Sequence, residues 1–284
     1  MHPSIRPGGV AVVTGSAAGI GLAIAERLAK EQMKVVLFDE NAVALDQAAS
    51  SLLSRFGHAA ITKVQGDVTS QEALDRLQSH CSGLGPLSLL INNAGVIPKA
   101  GPWDGAETWQ RVMDVNFWSV LRLQQLFIEK LISQRSPSAI VNLGSKEGIT
   151  TPPGNAAYAV SKAALRVLTE QLSHELRQRC DHVTAHLLIP GYTFTPMNFP
   201  EMSRDTPKPK AAWSAEQVVD RMVERMDAGD FYLFCEDNEV TRDVDQRRMQ
   251  WSADDLILNR PALSRWHPDY QAKFARFLHG ETAP

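Results

Sequence analysis

Short, uninterrupted apolar runs alternate along this chain with longer stretches in which apolar residues recur every three or four positions. The runs predict strands at 10–13, 34–38, 60–64, 87–91, 139–143, 183–189 and 231–234, and the longer stretches predict helices at 20–29, 42–53, 71–78, 106–133, 156–179 and 215–226. Strands that are apolar throughout bury both faces, and helices between consecutive strands are the crossovers of a parallel sheet. The expected fold is therefore α/β: a doubly wound, seven-stranded, mostly parallel Rossmann-type sheet with helices on both faces, in a single domain over residues 1–238. Thr69 with Glu72, and Ser214 with Gln217, have capping-box spacing. Residues 190–209 carry five prolines and little periodicity, which predicts a functional loop. Residues 239–284 are too few for a second core and are expected to extend the first, as a lid over the active site, an interface segment or a packed appendage.

Composition narrows the class of function. The chain has 284 residues, 44% hydrophobic and 21% charged, with a net charge of −3. That balance gives no electrostatic footprint for nucleic acid or an anionic membrane, and no apolar run approaches the ~20 residues of a membrane span. Residues 1–9 lack the order of a signal peptide, so a cytoplasmic protein is expected. Cys81, Cys180 and Cys235 are too scattered for a disulfide framework or a zinc site, and no metal is expected.

Chemistry-bearing residues cluster where the predicted strands end. The first strand leads into Thr14-Gly15-Ser16-Ala17-Ala18-Gly19-Ile20-Gly21 and then directly into a helix. Glycines at such a junction let backbone N–H groups and the positive helix end face a pyrophosphate. Asp39 ends the second strand, where a carboxylate accepts from ribose hydroxyls and repels a 2'-phosphate, so NAD is expected over NADP. Capping of the next helix is the plainer reading of that residue. Asp67-Val68 and Asn92-Asn93-Ala94-Gly95 follow the third and fourth strands, and either segment can also be ordinary turn chemistry. Ser145 follows the fifth strand, and Tyr158 and Lys162 sit four residues apart on one helical face. A cation ~5 Å from a phenol, at an effective dielectric of ~20, contributes about 3 kcal/mol, enough to lower the phenol pKa by ~2.

In this order and spacing the motifs from 10 to 234 resemble the short-chain dehydrogenase/reductase family, in its group of roughly 250-residue members. The resemblance implies Tyr158 as general acid/base, Ser145 as the hydrogen-bonding partner of the substrate oxygen, and Lys162 as ribose ligand and modulator of the tyrosine. Asn116 matches the fourth catalytic residue, which positions a water in a proton relay to the lysine. For the cofactor it implies Gly15, Ser16, Ala18, Gly19, Ile20, Gly21, Asp39, Asp67, Val68, Asn93, Ala94, Gly95, Tyr158, Lys162, Pro190, Gly191, Thr193 and Thr195. Thr193 stands where Val or Ile is usual.

Expected substrate contacts are Ile97, Glu147, Tyr192, Phe194 and Met197, with Val96, Lys146, Phe199 and Trp213 as further liners. Lys146 and Glu147 can also pair with each other, and the apolar set can equally be core. A mostly apolar, partly aromatic lining favours a hydrophobic or aryl-bearing secondary alcohol or ketone over a sugar. The resulting expectation is an NAD(H)-dependent alcohol dehydrogenase or ketone reductase acting on a small molecule, associated as a homodimer or homotetramer. Two readings stand beside it: a relative that epimerises or dehydrates its substrate or takes a polyol, and an idle NAD(H)-binding regulator.

Overall fold

The computed structural model describes residues 1–280 apart from 58 and 204. Seven strands form one sheet: β1 (Val10–Thr14), β2 (Lys34–Asp39), β3 (Ile61–Gln65), β4 (Leu87–Asn92), β5 (Ser138–Leu143), β6 (Val183–Ile189) and β9 (Tyr232–Phe234). Their order is β3-β2-β1-β4-β5-β6-β9, and every pairing is parallel. The connecting helices are α1 (Gly19–Lys30), α2 (Ala42–Arg55), α3 (Gln71–Ser82), α4 (Ala106–Met113), α5 (Ser119–Ser133), α6 (Glu147–Thr150), α7 (Ala156–Arg179) and α8 (Ala215–Asp227). A strand's side chains alternate between its faces. Ala11 and Val13 accordingly pack on Ile24 and Leu28 of α1 and Val218 and Met222 of α8, while Val10 and Val12 join Leu74 and Leu77 of α3 and Leu123 and Phe127 of α5.

Strand β1 has β2 on one side and β4 on the other, so the chain reverses its winding direction there. In open α/β sheets a crevice opens at that point, outside the carboxyl ends of the strands.

Three expectations need correction. The helix expected over 106–133 is interrupted by a π-helical turn, Asp114–Trp118, that contains Asn116. Residues 190–209 are not wholly irregular, because β7 (Thr193–Phe194) pairs with β8 (Trp213–Ser214). Ser214 and Gln217 do form a capping box, but α3 is capped by Ser70, which accepts from the Ala73 N–H, and not by Thr69 with Glu72. The extension contains two helices, α9 (Arg242–Ile257) and α10 (Pro268–Leu278), joined by packing of Trp251 against Phe274 and Phe277 at ring-centroid distances of 5.3 Å. Among the described residues no helix is long and apolar enough to cross a membrane.

Candidate active site

Thr14 fastens the two loops at the switch point. Its hydroxyl donates to the Ile91 carbonyl at 3.3 Å and accepts from the N–H groups of Asn93 and Ala94 at 3.0 and 3.1 Å. The Asn93 amide in turn donates to the carbonyls of Thr14 and Gly15, both at 2.9 Å. Gly21 lies against this clasp so closely that a Cβ there would fall 2.1 Å from the Gly15 oxygen. Gly15 itself has φ +62°, a left-handed conformation that favours glycine.

The first turn of α1 has no side-chain cap and no acidic residue, which leaves its N–H groups free to face an anion. They open on a solvent-connected cleft of roughly 880 Å³ lined by Gly15, Ala18, Gly19, Ile20, Asp39, Asp67, Val68, Asn93, Ala94, Gly95 and Thr195. A glycine cradle, an uncapped helix start and a carboxylate at the end of β2 suit the pyrophosphate and ribose of a dinucleotide. Asp39 does not cap α2, which Asn41 caps by accepting from the Ala44 N–H; its carboxylate accepts from the N–H groups of Ala17 at 2.9 Å and Asn41 at 3.0 Å. Burial works to raise the Asp67 carboxyl, yet bonds from Thr69 and the Arg111 guanidinium outweigh it and hold the group below its ordinary value. Arg111, absent from the sequence reading, bridges Asp67 at 3.2 Å and Glu40 at 3.4 Å and is the one cation lining the cleft among the described residues.

A second cavity, lined by Ile97, Ser145, Lys146, Glu147, Tyr158, Pro190, Gly191, Tyr192 and Thr193, shares Ile20, Leu143, Thr195 and Met197 with the first. Asn155 starts α7 by accepting from the Tyr158 N–H, and it also accepts from the Ala100 N–H at 3.3 Å. The Tyr158 phenol lies beside the Ser145 side chain in the wall of this cavity, close enough for the hydroxyl to pull its pKa down. Lys162, one turn further on, is buried, donates to the Leu143 carbonyl at 2.6 Å and lies 5.7 Å from the Tyr158 ring centroid. Asn116 uses its amide on Val96, accepting from its N–H at 2.8 Å and donating to its carbonyl at 2.9 Å, and it donates to Ser161 at 3.1 Å. π-helical turns recur at functional sites, and this one aims Asn116 at the Gly95 backbone.

The electrostatics correct one expectation. The Tyr158 phenol is not brought toward neutrality: burial pushes it up to about 12, the Ser145 hydroxyl pulls against that, and the Glu147 carboxylate adds to it. Burial also works on Lys162, pushing its own pKa down to about 8. This perturbation has a measurable sign. Lys162 is neutralised more easily in the folded protein than at its ordinary 10.5, so the unfolded chain binds more protons between about 8 and 10.5. The stability of the wild type relative to Lys162→Met should therefore rise with pH across that window, by something on the order of 3 kcal/mol, in urea titrations at stepped pH. A flat difference would contradict the burial assigned to Lys162.

Several expected contacts lie elsewhere. Ser16 is buried away from the cleft with its hydroxyl on the Phe38 carbonyl at 3.3 Å. Phe194 packs on Phe199, centroids 5.0 Å apart, and neither lines the cavity. Trp213 is buried under Arg221, and Val96 faces the cofactor cleft. Lys146 and Glu147 do not pair, because Lys146 turns to Asp237 and Asp245 at 3.3 and 2.6 Å. Glu147 stays half-buried in the cavity wall, its carboxyl raised by that burial. The missed Asn155 cap had a local signal, an Asn just before a long helical stretch, whereas Thr14, Arg111 and Ser161 act through distant partners.

Known proteins provide an independent comparison. The sequence pattern of the family described as short chain dehydrogenase matches residues 9–205. A 1-deoxy-11-beta-hydroxypentalenate dehydrogenase of Streptomyces exfoliatus is 31% identical over 94% of this chain and 96% of its own length. Among solved structures, a short chain dehydrogenase/reductase from Burkholderia phymatum in complex with NAD superposes with a TM-score of 0.79 at 28% identity, covering 89% of this chain and 96% of that one. A short-chain dehydrogenase from Sphingobium yanoikuyae in complex with NADPH gives 0.69 at 25% identity, covering 79% and 86%.

Proposed function

The chain belongs to the short-chain dehydrogenase family, an oxidoreductase family that acts on hydroxyl and ketone substrates, and from that premise we propose an NAD(H)-dependent enzyme that interconverts a hydrophobic secondary alcohol and its ketone. One observation carries the reading: Ser145 and Tyr158 together line a cavity that shares four residues with the glycine-rich cleft. A reacting carbon between the two cavities is within reach of both a nicotinamide and a phenol.

The nicotinamide, when bound, takes up or gives back the hydride. This chain's residues manage the proton and the positions. Tyr158 exchanges a proton with the carbinol oxygen, Ser145 hydrogen-bonds that oxygen, and Lys162 places a positive charge behind the phenol. A phenol raised to about 12 favours the protonated form, which suits donation to a nascent alkoxide. In the oxidative direction the Tyr158 phenolate would be stabilised by the positive charge that a bound nicotinamide supplies. Asn116 holds Val96 and Ser161 in place beside Lys162.

Preference for NAD is supported by Asp39 and Glu40 at the ribose end of the cleft and by Arg111 being already engaged by Glu40 and Asp67. The kcat/KM ratio of NAD+ to NADP+ should exceed about 100 in the wild type and fall about tenfold or more in Asp39→Asn. An unchanged ratio would refute the role given to Asp39. Ile97, Tyr192 and Met197 favour an apolar substrate body. A substrate with a second hydroxyl is the alternative that Glu147 favours, since no cation among the described residues pairs with that carboxylate. Buried free thiols at Cys81 and Cys235 support a reducing, cytoplasmic location. Exposed Trp118, Val160 and Val167 support association of subunits through the outer faces of the π turn and α7.

A further inference from the structure

Lys146 follows Ser145 directly, yet its side chain leads away from the reacting centre. Its ammonium lies 2.6 Å from Asp245 in the first turn of α9 and 3.3 Å from Asp237, which follows β9. The three side chains are 13%, 2% and 8% exposed. Arg248 approaches Asp245 from the next turn at 3.7 Å, and Arg242 covers the Phe234 ring at 4.1 Å.

The ammonium crosses directly over Gly191. A Cβ on that glycine would lie 2.9 Å from both Lys146 Nζ and Asp237 Oδ2, so the ion pair occupies the space a side chain would need. The Lys146 N–H also donates to the Pro190 carbonyl at 3.4 Å, and the Cys235 N–H to the Ile189 carbonyl at 2.9 Å. The turn carrying Ser145, the Pro190–Gly191 turn and the start of the extension thus meet at one buried cation. Two carboxylates share that one cation, and withdrawing the cation leaves them as uncompensated buried charge.

We propose that the extension is a positioning element of the active site: Asp245 and Asp237 hold Lys146, and through it fix the Ser145 turn against Pro190–Gly191. The proposal rests on the reading of Ser145 and Tyr158 as the reacting pair. It makes residues 237–257 part of the catalytic scaffold, neither a mobile lid nor an appendage.

The test uses the full-length protein with Asp245→Asn and with the joint uncharged replacement Lys146→Met/Asp237→Asn/Asp245→Leu. Amide hydrogen exchange at 148–150 should quicken about tenfold or more in Asp245→Asn while β1 to β3 keep their protection. On a secondary alcohol kcat should fall about tenfold or more, with KM for NAD+ little changed, because the effect falls on Ser145 and not on the glycine cradle. The triple variant, which removes the three charges together, should recover the protection at 148–150. Faster exchange confined to α9, with 148–150 and kcat as in the wild type, would overturn the proposal. A wild type that turns over no alcohol would instead count against the catalytic reading, and exchange at 148–150 would still decide whether the extension holds this turn.

Discussion

Tyr158→Phe loses turnover by roughly a thousandfold or more while NADH still binds within about threefold of the wild-type affinity. The substitution deletes one oxygen from a ring that is 7% exposed. The ring's packing survives, and Lys162 keeps its bond to the Leu143 carbonyl. Ser145 loses the neighbouring hydroxyl but remains in the cavity wall. What disappears is the hydroxyl assigned to exchange a proton with the carbinol oxygen. Steady-state kinetics in both directions, with NADH binding followed by fluorescence, separate the two effects. Activity close to wild type would remove Tyr158 from the mechanism, and a parallel loss of NADH binding would make its role structural.

Gly21→Ala damages cofactor binding and stability together. Its Cβ would sit 2.1 Å from the Gly15 oxygen and 2.5 Å from Asn93 Nδ2. Neither neighbour can withdraw: the first is backbone, and the second is held by bonds to the Thr14 and Gly15 carbonyls. The start of α1 must therefore move outward, taking with it the N–H groups that face the cleft. Overpacking of this kind costs about 1–3 kcal/mol, which lowers Tm by about 2–6 °C in a domain of this size. Affinity for NAD(H) should fall about a hundredfold, since the displaced amides are the anion site itself. Gly105→Ala, where nothing lies within 4 Å of the added methyl, is the control and should change neither quantity appreciably. Calorimetry and NADH titration on the two variants check this, and equal behaviour would mean that the close approach at Gly21 carries no weight.

The sheet was legible because burial of both faces writes strands as apolar runs, and the crossover helices between them carry apolar residues at three- and four-residue spacing. Tyr158 and Lys162 were legible for a similar reason, since one helical turn fixes their relation. What stayed hidden depends on partners far along the chain. The Thr14 clasp joins residues 79 positions apart, and Lys146 meets Asp237 across 91. Neither distance leaves a local pattern. Side-chain direction was equally hidden: Ser16 and Phe194 stand within the right motifs, but one turns to the Phe38 carbonyl and the other to Phe199. The break at Asn116 escaped because a π turn has the composition of the α-helix around it. The rise in the Tyr158 pKa escaped because desolvation is a property of the folded interior, and the sequence displays only the neighbouring charge.

The central claim is that the Ser145–Tyr158 cavity oxidises hydrophobic secondary alcohols with NAD+. It is tested most directly by initial rates of NADH formation across a panel of aryl and alkyl secondary alcohols and polyols, each offered NAD+ or NADP+. The account predicts turnover of apolar secondary alcohols, faster with NAD+. Turnover of polyols alone would contradict the substrate class, and tight NADH binding with no turnover anywhere on the panel would contradict the enzyme itself.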